Sequence, residues 1–200
     1  MAGHRMTREA RRADLLETAA AIVRSEGTDA LTLARVAELA GVSKPIAYEH
    51  FQTRTGLLKA LYGRIDGLQA EAVQAALATG VHSLDQAVSI LAAAYIDCVL
   101  HIGMEYGAIT AALSTGPEFG EILREGHERY ARLVTAAIEP FAPLPADQGQ
   151  TLMLGIIGAA EALAREATAG RLDRSQAINA ITQILLGTVR QAGTHPGEAG

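Results

Sequence analysis

Between Lys44 and Arg54 the chain gathers an ammonium, a phenol, an imidazole, a hydroxyl and a guanidinium, carried by Lys44, Tyr48, His50, Thr53 and Arg54. Hydrogen-bond donors of these types, packed this closely, suit the phosphate oxygens of a nucleic-acid backbone. They serve that end only if a rigid element presents them, and the flanking sequence predicts one. Thr32 is a good N-cap, and Leu31 and Val36 stand where a hydrophobic staple would set the angle of entry into a helix beginning near Leu33. Gly41 follows where a helix end needs a residue that tolerates positive φ. Val42 is the apolar plug of the turn, Ser43 the next cap, and Pro45 falls in a first turn where a missing N–H costs little. The second helix, about Lys44 to His50, is too short to stand alone. Ala47 and Phe51, four residues apart, would hold it on the body, leaving Lys44, Pro45, Ile46, Tyr48 and His50 outward or at the flank. Two short helices about a tight turn make a helix-turn-helix, whose second helix enters a major groove. Ile46 offers apolar contact to a thymine methyl, whereas Glu49 would repel phosphate unless it accepts from a cytosine N4 or points away. An ordinary helical hairpin, with Gly41 a plain C-cap and Tyr48 in a core, is the competing reading of the same residues.

The stretch AGVSKPIAYEHFQTRTGLL resembles the DNA-binding signature of the TetR family of one-component transcriptional regulators. The likeness is carried by Thr32, Ala40 to Ser43, Tyr48, His50, Phe51, Arg54 with Thr55, and Leu57 with Leu58, and spans about the first 65 residues. Two positions depart from the pattern: Arg54 replaces a Lys and keeps the charge, and Thr55 replaces a Glu. The resemblance implies DNA binding through Thr32, Ser43, Lys44, Pro45, Ile46, Tyr48, His50 and Arg54, with Arg8, Arg11 and Arg12 near the backbone. It also implies a homodimer on a double-stranded, palindromic operator, most simply a repressor released by a small-molecule effector. An activator is the nearest alternative. A helical enzyme, or an effector- or protein-binding module without ligand-gated DNA binding, is the alternative from a different class.

A net charge of −5 looks wrong for a DNA-binding chain until it is divided. Residues 1–64 hold ten Lys or Arg against seven acids, whereas the remainder holds seven against fifteen. The first part is therefore +3 and the rest −8, which concentrates counterion-releasing charge where the motif lies. With 49% apolar and 20% charged residues the chain can bury a substantial core. Its Ala-rich composition and short β-branched runs favour an all-α fold. Cys98 is the single cysteine, so no intrachain disulfide framework exists. The polar start GHRMTREARR does not read as a signal segment, and the expectation is a cytoplasmic protein with no membrane span. Both ends are expected to be poorly ordered.

About nine helices are predicted: Thr7 to Glu26, the motif pair, a long one from Arg54 to Thr79, then Leu84 to Ile102, Glu105 to Leu113, Glu118 to Ile138, Ala146 to Thr168 and Arg174 to Gln191. They are assigned to an N-terminal helix-turn-helix domain of three helices, residues 1–53, and a C-terminal helical domain for effector binding and dimerisation, residues 54–200. The long helix could carry a displacement from one to the other. In the last two helices, Leu152, Ile156, Ala160 and Leu163, and Ile178, Ile181, Leu185 and Val189, form near-heptad stripes, with Gly155, Gly158 and Ala159 allowing close approach. These predict a four-helix dimer interface. The middle of the chain clusters Tyr95, Cys98, His101, Met104, Tyr106, Phe119, His127, Tyr130 and Met153, a group that suits a mostly apolar ligand cavity. Cys98 and His101, at i and i+3, lack a second pair at metal-ligand spacing. Without a phosphate loop, HExxH or GxSxG, the sequence predicts no enzyme, no metal and no cofactor.

Overall fold

The computed structural model describes residues 6–78, 80–116, 118–144 and 149–194, without the side chains of Phe119, Gly193 and Thr194. The expected disorder of the ends and the expected helix start at Ala146 fall largely outside these residues. Among the described residues the secondary structure is entirely helical: α1 (Arg8–Glu26), α2 (Leu33–Leu39), α3 (Lys44–Phe51), α4 (Arg54–Leu77), α5 (Leu84–Ile102), α6 (Met104–Leu113), α7 (Phe119–Ile138), α8 (Gly149–Thr168) and α9 (Arg174–Thr194). The all-α expectation holds, and caps explain the boundaries. Thr7, Thr32 and Ser83 each accept from the backbone N–H three residues on, which stops three helices fraying at their starts. Gly27 and Gly103, both at positive φ, end α1 and α5.

Two compact units emerge, and they do not follow a cut at residue 53. The first comprises residues 1–65 and 104–120, the second 66–103 and 121–200, so the division falls within α4. In the first unit α1 packs on α2 and α6, and α2 on α3. Its buried side chains include Leu15, Ile22, Leu31, Val36, Ala47, Phe51, Leu57, Leu61, Ile65 and Ile109. Burial of each large aliphatic contributes roughly 1.5–3 kcal/mol, the tertiary support that an eight-residue α3 needs. The second unit is built on α5, α8 and α9, which pack on one another. Here Val88, Leu91, Met153, Ile157, Leu185 and Val189 share one core cluster, and Tyr95, Ile96, Ala160, Ala164 and Ile181 another. The helix α5 is apolar and long enough to cross a membrane by composition, yet eight of its residues are buried against protein.

The junction from α3 to α4 is tighter than the sequence suggests. Gln52 has φ 62 and ψ −52, and Thr53 N–H donates to the Phe51 carbonyl at 2.6 Å, a γ-turn of the strained hand. Thr53 then caps α4 by accepting from Gly56 N–H at 2.9 Å. The first turn of α4 passes so close to Phe51 that a methyl group on Gly56 would overlap the Phe51 carbonyl oxygen. Gly63, seven residues on and exposed, has open space around it. Gly56→Ala is expected to lower stability by about 1–3 kcal/mol, while Gly63→Ala raises it by roughly 0.5–1 kcal/mol through helix propensity. Denaturant midpoints of the two variants check both signs.

Candidate functional site

The turn between α2 and α3 is locked by backbone geometry. Gly41 sits at φ 66, its N–H donates to Glu38 O at 3.2 Å, and Val42 N–H donates to Ala37 O at 2.9 Å. This is a Schellman closure, which satisfies the last carbonyls of α2 and turns the chain within two residues. Ser43 occupies the N-cap of α3 with extended backbone, but its hydroxyl makes no cap bond. The expectation that its side chain caps the helix is therefore corrected: the Ser43 carbonyl accepts from Ile46 N–H at 3.0 Å, and the hydroxyl stays exposed.

Ala47 and Phe51 are buried, which fixes the inner face of α3. Lys44, Pro45, Tyr48 and Glu49 are exposed on the other side, with Ile46 and His50 half-buried. Half of the Tyr48 surface is exposed, so a core role for this ring is excluded. Thr32 is exposed too, and its oxygen accepts from Arg35 N–H at 3.1 Å, leaving its hydroxyl proton free to donate. The structure thus brings Thr32, Ser43, Lys44, Pro45 and Tyr48 to the surface of one unit.

Two arginines behave differently from a free phosphate contact. Arg54 donates through Nε to Leu31 O at 3.0 Å and through Nη2 to Thr28 O at 2.6 Å, tying the start of α4 to the loop before α2. Arg12 lies over the Phe51 ring at 5.0 Å from its centroid. Leu39, the last residue of α2, is half exposed.

A polar core that sequence reading missed holds α6 in the first unit. Glu105, 3% exposed, accepts from Arg24 Nη1 at 2.7 Å, with Arg64 Nη1 3.9 Å from its other oxygen. Arg64 meanwhile pairs with Glu17 at 2.5 Å, and Lys59 with Glu118. A lone acid within the apolar helix MEYGAITAAL was the available signal, but its partners are distant in sequence.

Of the proposed cavity residues, Tyr95, Tyr130 and Met153 come together around a cavity of about 20 Å³ in the second unit, with Leu91, Val134 and Ile157 among its other walls. The Tyr95 and Tyr130 rings lie 5.4 Å apart, and burial pushes the Tyr130 phenol well above its usual range. Burial also raises the Cys98 thiol. The others go elsewhere: His101 is exposed, Met104 is 82% exposed, and Tyr106 stacks on Tyr62 in the first unit. His101 is on α5 but on its exposed side, whereas Met104 and Tyr106 follow Gly103 and belong to α6 of the first unit. The Phe119 side chain lies outside the described residues. No group of three or more His, Cys, Asp or Glu among the described residues could hold a metal.

The apolar stripes of the last two helices also face inward. Ile156, Ala160, Ile181, Leu185 and Val189 are buried within the chain, and Leu152, Leu163 and Ile178 are half-buried. What remains outside is a second set, Leu154 and Ile184, each 40% exposed, beside Gly155, Gly158 and Gly187, where an added Cβ would meet nothing.

Comparison with known proteins bears on the helix-turn-helix and on the fold. Residues 15–61 match the profile of the bacterial regulatory proteins of the tetR family. Over that segment the chain resembles the TetR family's DNA-binding domain. Thr32 to Phe51, the whole helix-turn-helix, lie inside the matched segment. The chain is 27% identical over 157 residues to the HTH-type transcriptional activator FasR of Mycolicibacterium smegmatis, covering 78% of this chain and 71% of that one. In fold it is similar to a candidate transcriptional regulator of Pseudomonas aeruginosa PAO1, with TM-score 0.75, 15% identity and 95% of each chain covered. A TetR transcriptional regulator of Rhodococcus sp. RHA1 gives TM-score 0.70 at 17% identity, covering 90% of this chain and 96% of that one.

His127 shows a pH-sensitive tie between α7 and α8. Its Nε2 lies 2.8 Å from Glu161 Oε1, a bond that raises the imidazole above its ordinary 6.5 despite partial burial. A raised histidine stabilises the fold fully below 6.5, and that contribution is lost as pH rises through the folded-state value. The stability difference between the native chain and His127→Gln should therefore shrink as pH rises above 6.5, measured as denaturant midpoints across a pH series.

Proposed function

We propose that the chain is a TetR-family regulator, a homodimeric repressor that binds a palindromic operator through α3 and is released by a small-molecule effector. The observation that carries the reading is the outward face of α3, with Lys44, Pro45 and half-exposed Tyr48 on a helix whose other face is fully buried. Thr32, Ser43, Ile46 and His50 extend this surface, the last two from half-buried positions. Lys44 neutralises phosphate, Tyr48 and the two hydroxyls fix the register, and Ile46 offers apolar contact to a thymine methyl. Arg54 chiefly locks the loop before α2, with two of its nitrogens already committed to carbonyls.

Support for the dimer comes from the outer face of α8 and α9. Leu154 and Ile184 with the adjacent glycines leave an apolar, closely approachable strip, and a second copy would cover it by two-fold symmetry. A dimer presents two α3 helices to successive major grooves about one helical turn apart. The effector would enter the second unit, where Tyr95, Tyr130 and Met153 surround the cavity. One specific observation favours a second reading, an activator: the curated relative bears that description. A reporter on the regulated promoter separates the two, since deletion of the chain raises expression under a repressor and lowers it under an activator.

Fluorescence anisotropy with duplexes from upstream of the coding region tests the binding itself. Tyr48→Ala should weaken specific binding at least tenfold, about 1.4 kcal/mol, without moving the unfolding midpoint. Leu154→Glu should yield monomers in sedimentation and lose operator affinity by a similar factor or more. A wild-type chain without salt-sensitive preference for any upstream duplex would overturn the reading.

A further inference from the structure

Glu49 is a carboxylate for which the fold itself supplies no use. Of the acids on the helices of the first unit, Asp14, Glu17, Glu26, Glu38 and Glu105 each pair with an arginine. Glu9 sits in the first turn of α1, where the helix dipole favours it. Glu49 is exposed in the last turn of α3, the end at which that dipole disfavours an anion. Among the described residues it has no ion pair or hydrogen bond. Its direction follows from the two residues that anchor the helix. Ala47 and Phe51 are buried. With about 100° of turn per residue, the crest of α3, about 180° from their bisector, falls on Glu49. Pro45 lies about 140° and Ile46 about 120° from that bisector on opposite sides, with Tyr48 and His50 each at about 80°. A helix laid crest-first in a major groove turns Tyr48 and His50 to the two walls and Glu49 to the floor, where the base edges lie.

We infer that Glu49 reads a cytosine in each operator half-site, its carboxylate accepting from the groove-facing N4–H. This rests on the operator-binding reading above and adds one base that the operator must contain. The donor pattern of the groove selects the base. A carboxylate only accepts. Guanine and thymine offer it acceptors or a methyl group, and adenine N6 has the acceptor N7 beside it, so cytosine is the base whose edge presents a donor alone. At any other base the carboxylate gives up water without gaining a partner and still lies near phosphate charge, so the same group selects by penalty as well as by contact. Exposed Lys44, with the Thr32, Ser43 and Tyr48 hydroxyls, supplies the backbone attraction that offsets this repulsion.

In the test, the full chain, Glu49→Ala and Glu49→Gln each select bound duplexes from a random-sequence pool, and the selected duplexes are sequenced. Wild-type sites should carry a C·G pair at one fixed position of each half-site. In Glu49→Ala that position should accept any pair while the rest of the motif stays. In Glu49→Gln it should change to adenine, which a carboxamide engages at N6 and N7 together. By fluorescence anisotropy the wild type should favour C·G over T·A there by about tenfold, and Glu49→Ala by less than about twofold. N4-methylcytosine keeps its Watson–Crick pair but loses the groove-facing N–H, so at this position it should weaken the wild type by about tenfold as well. That arm needs only the native chain. One motif shared by all three proteins, a uniform tightening of every sequence in Glu49→Ala, or a wild type indifferent to N4-methylcytosine would overturn the inference and leave Glu49 a solvated charge. A wild-type motif without these differences removes the Glu49 contact alone, whereas a wild type that enriches no sequence removes the operator-binding reading itself.

Discussion

The contact on which the first unit turns is the approach of Gly56 to the Phe51 carbonyl. An eight-residue helix has little stability of its own, so the direction in which α3 points is decided by what holds its ends. At its start the Schellman closure around Gly41 does so, and at its end the γ-turn at Gln52 brings the chain straight into α4. The second join is possible only because position 56 lacks a side chain. The same close contact sets Phe51 between the hydrophobic core and the Arg12 guanidinium. Arg54, one residue past the turn, then bonds back to Thr28 and Leu31. The helix α3, the first turn of α4 and the loop before α2 are thereby tied together, and Lys44 and Tyr48 inherit their placement from them.

The buried Glu105 extends this piece to α6. A carboxylate at 3% exposure is tolerable only with charge-bearing partners, and Arg24 and Arg64 supply them from α1 and α4. Arg64 is shared: it pairs closely with Glu17 and sits 3.9 Å from the unpartnered oxygen of Glu105. Since Arg64 and Gln69 stand five residues apart on the continuous α4, the helix carries both a charged clip of the first unit and a buried polar group of the second.

Legibility followed locality. Thr32, Gly41 and Pro45 act on residues within a turn of themselves, so the sequence predicted the helix-turn-helix and most of its surface, Tyr48 included. Gly56 went unread because its reason is a carbonyl five residues away across a turn whose geometry, a positive φ at Gln52, has no residue signature. Arg54 looked like a phosphate ligand by type, and only tertiary structure reveals the two carbonyls that claim it. On α8 and α9 the apolar periodicity was correct but ambiguous: Ile181, Leu185 and Val189 fill the chain's own core, and the strip left exposed is the neighbouring one with Leu154 and Ile184. The aromatic group of the middle segment split for a similar reason. Gly103 ends α5, and Tyr106 beyond it stacks on Tyr62 while Tyr95 and Tyr130 face one another in the second unit.

The central claim is that α3 presents a charged, phosphate-binding surface from a rigid support. The salt dependence of duplex binding by Lys44→Ala, set against the wild type, tests it most directly. Lys44 is exposed, so its removal should leave the unfolding midpoint unchanged while the slope of log affinity against log salt becomes shallower by about one unit per subunit. An unchanged slope, with the wild type bound to the same duplex, would contradict the account.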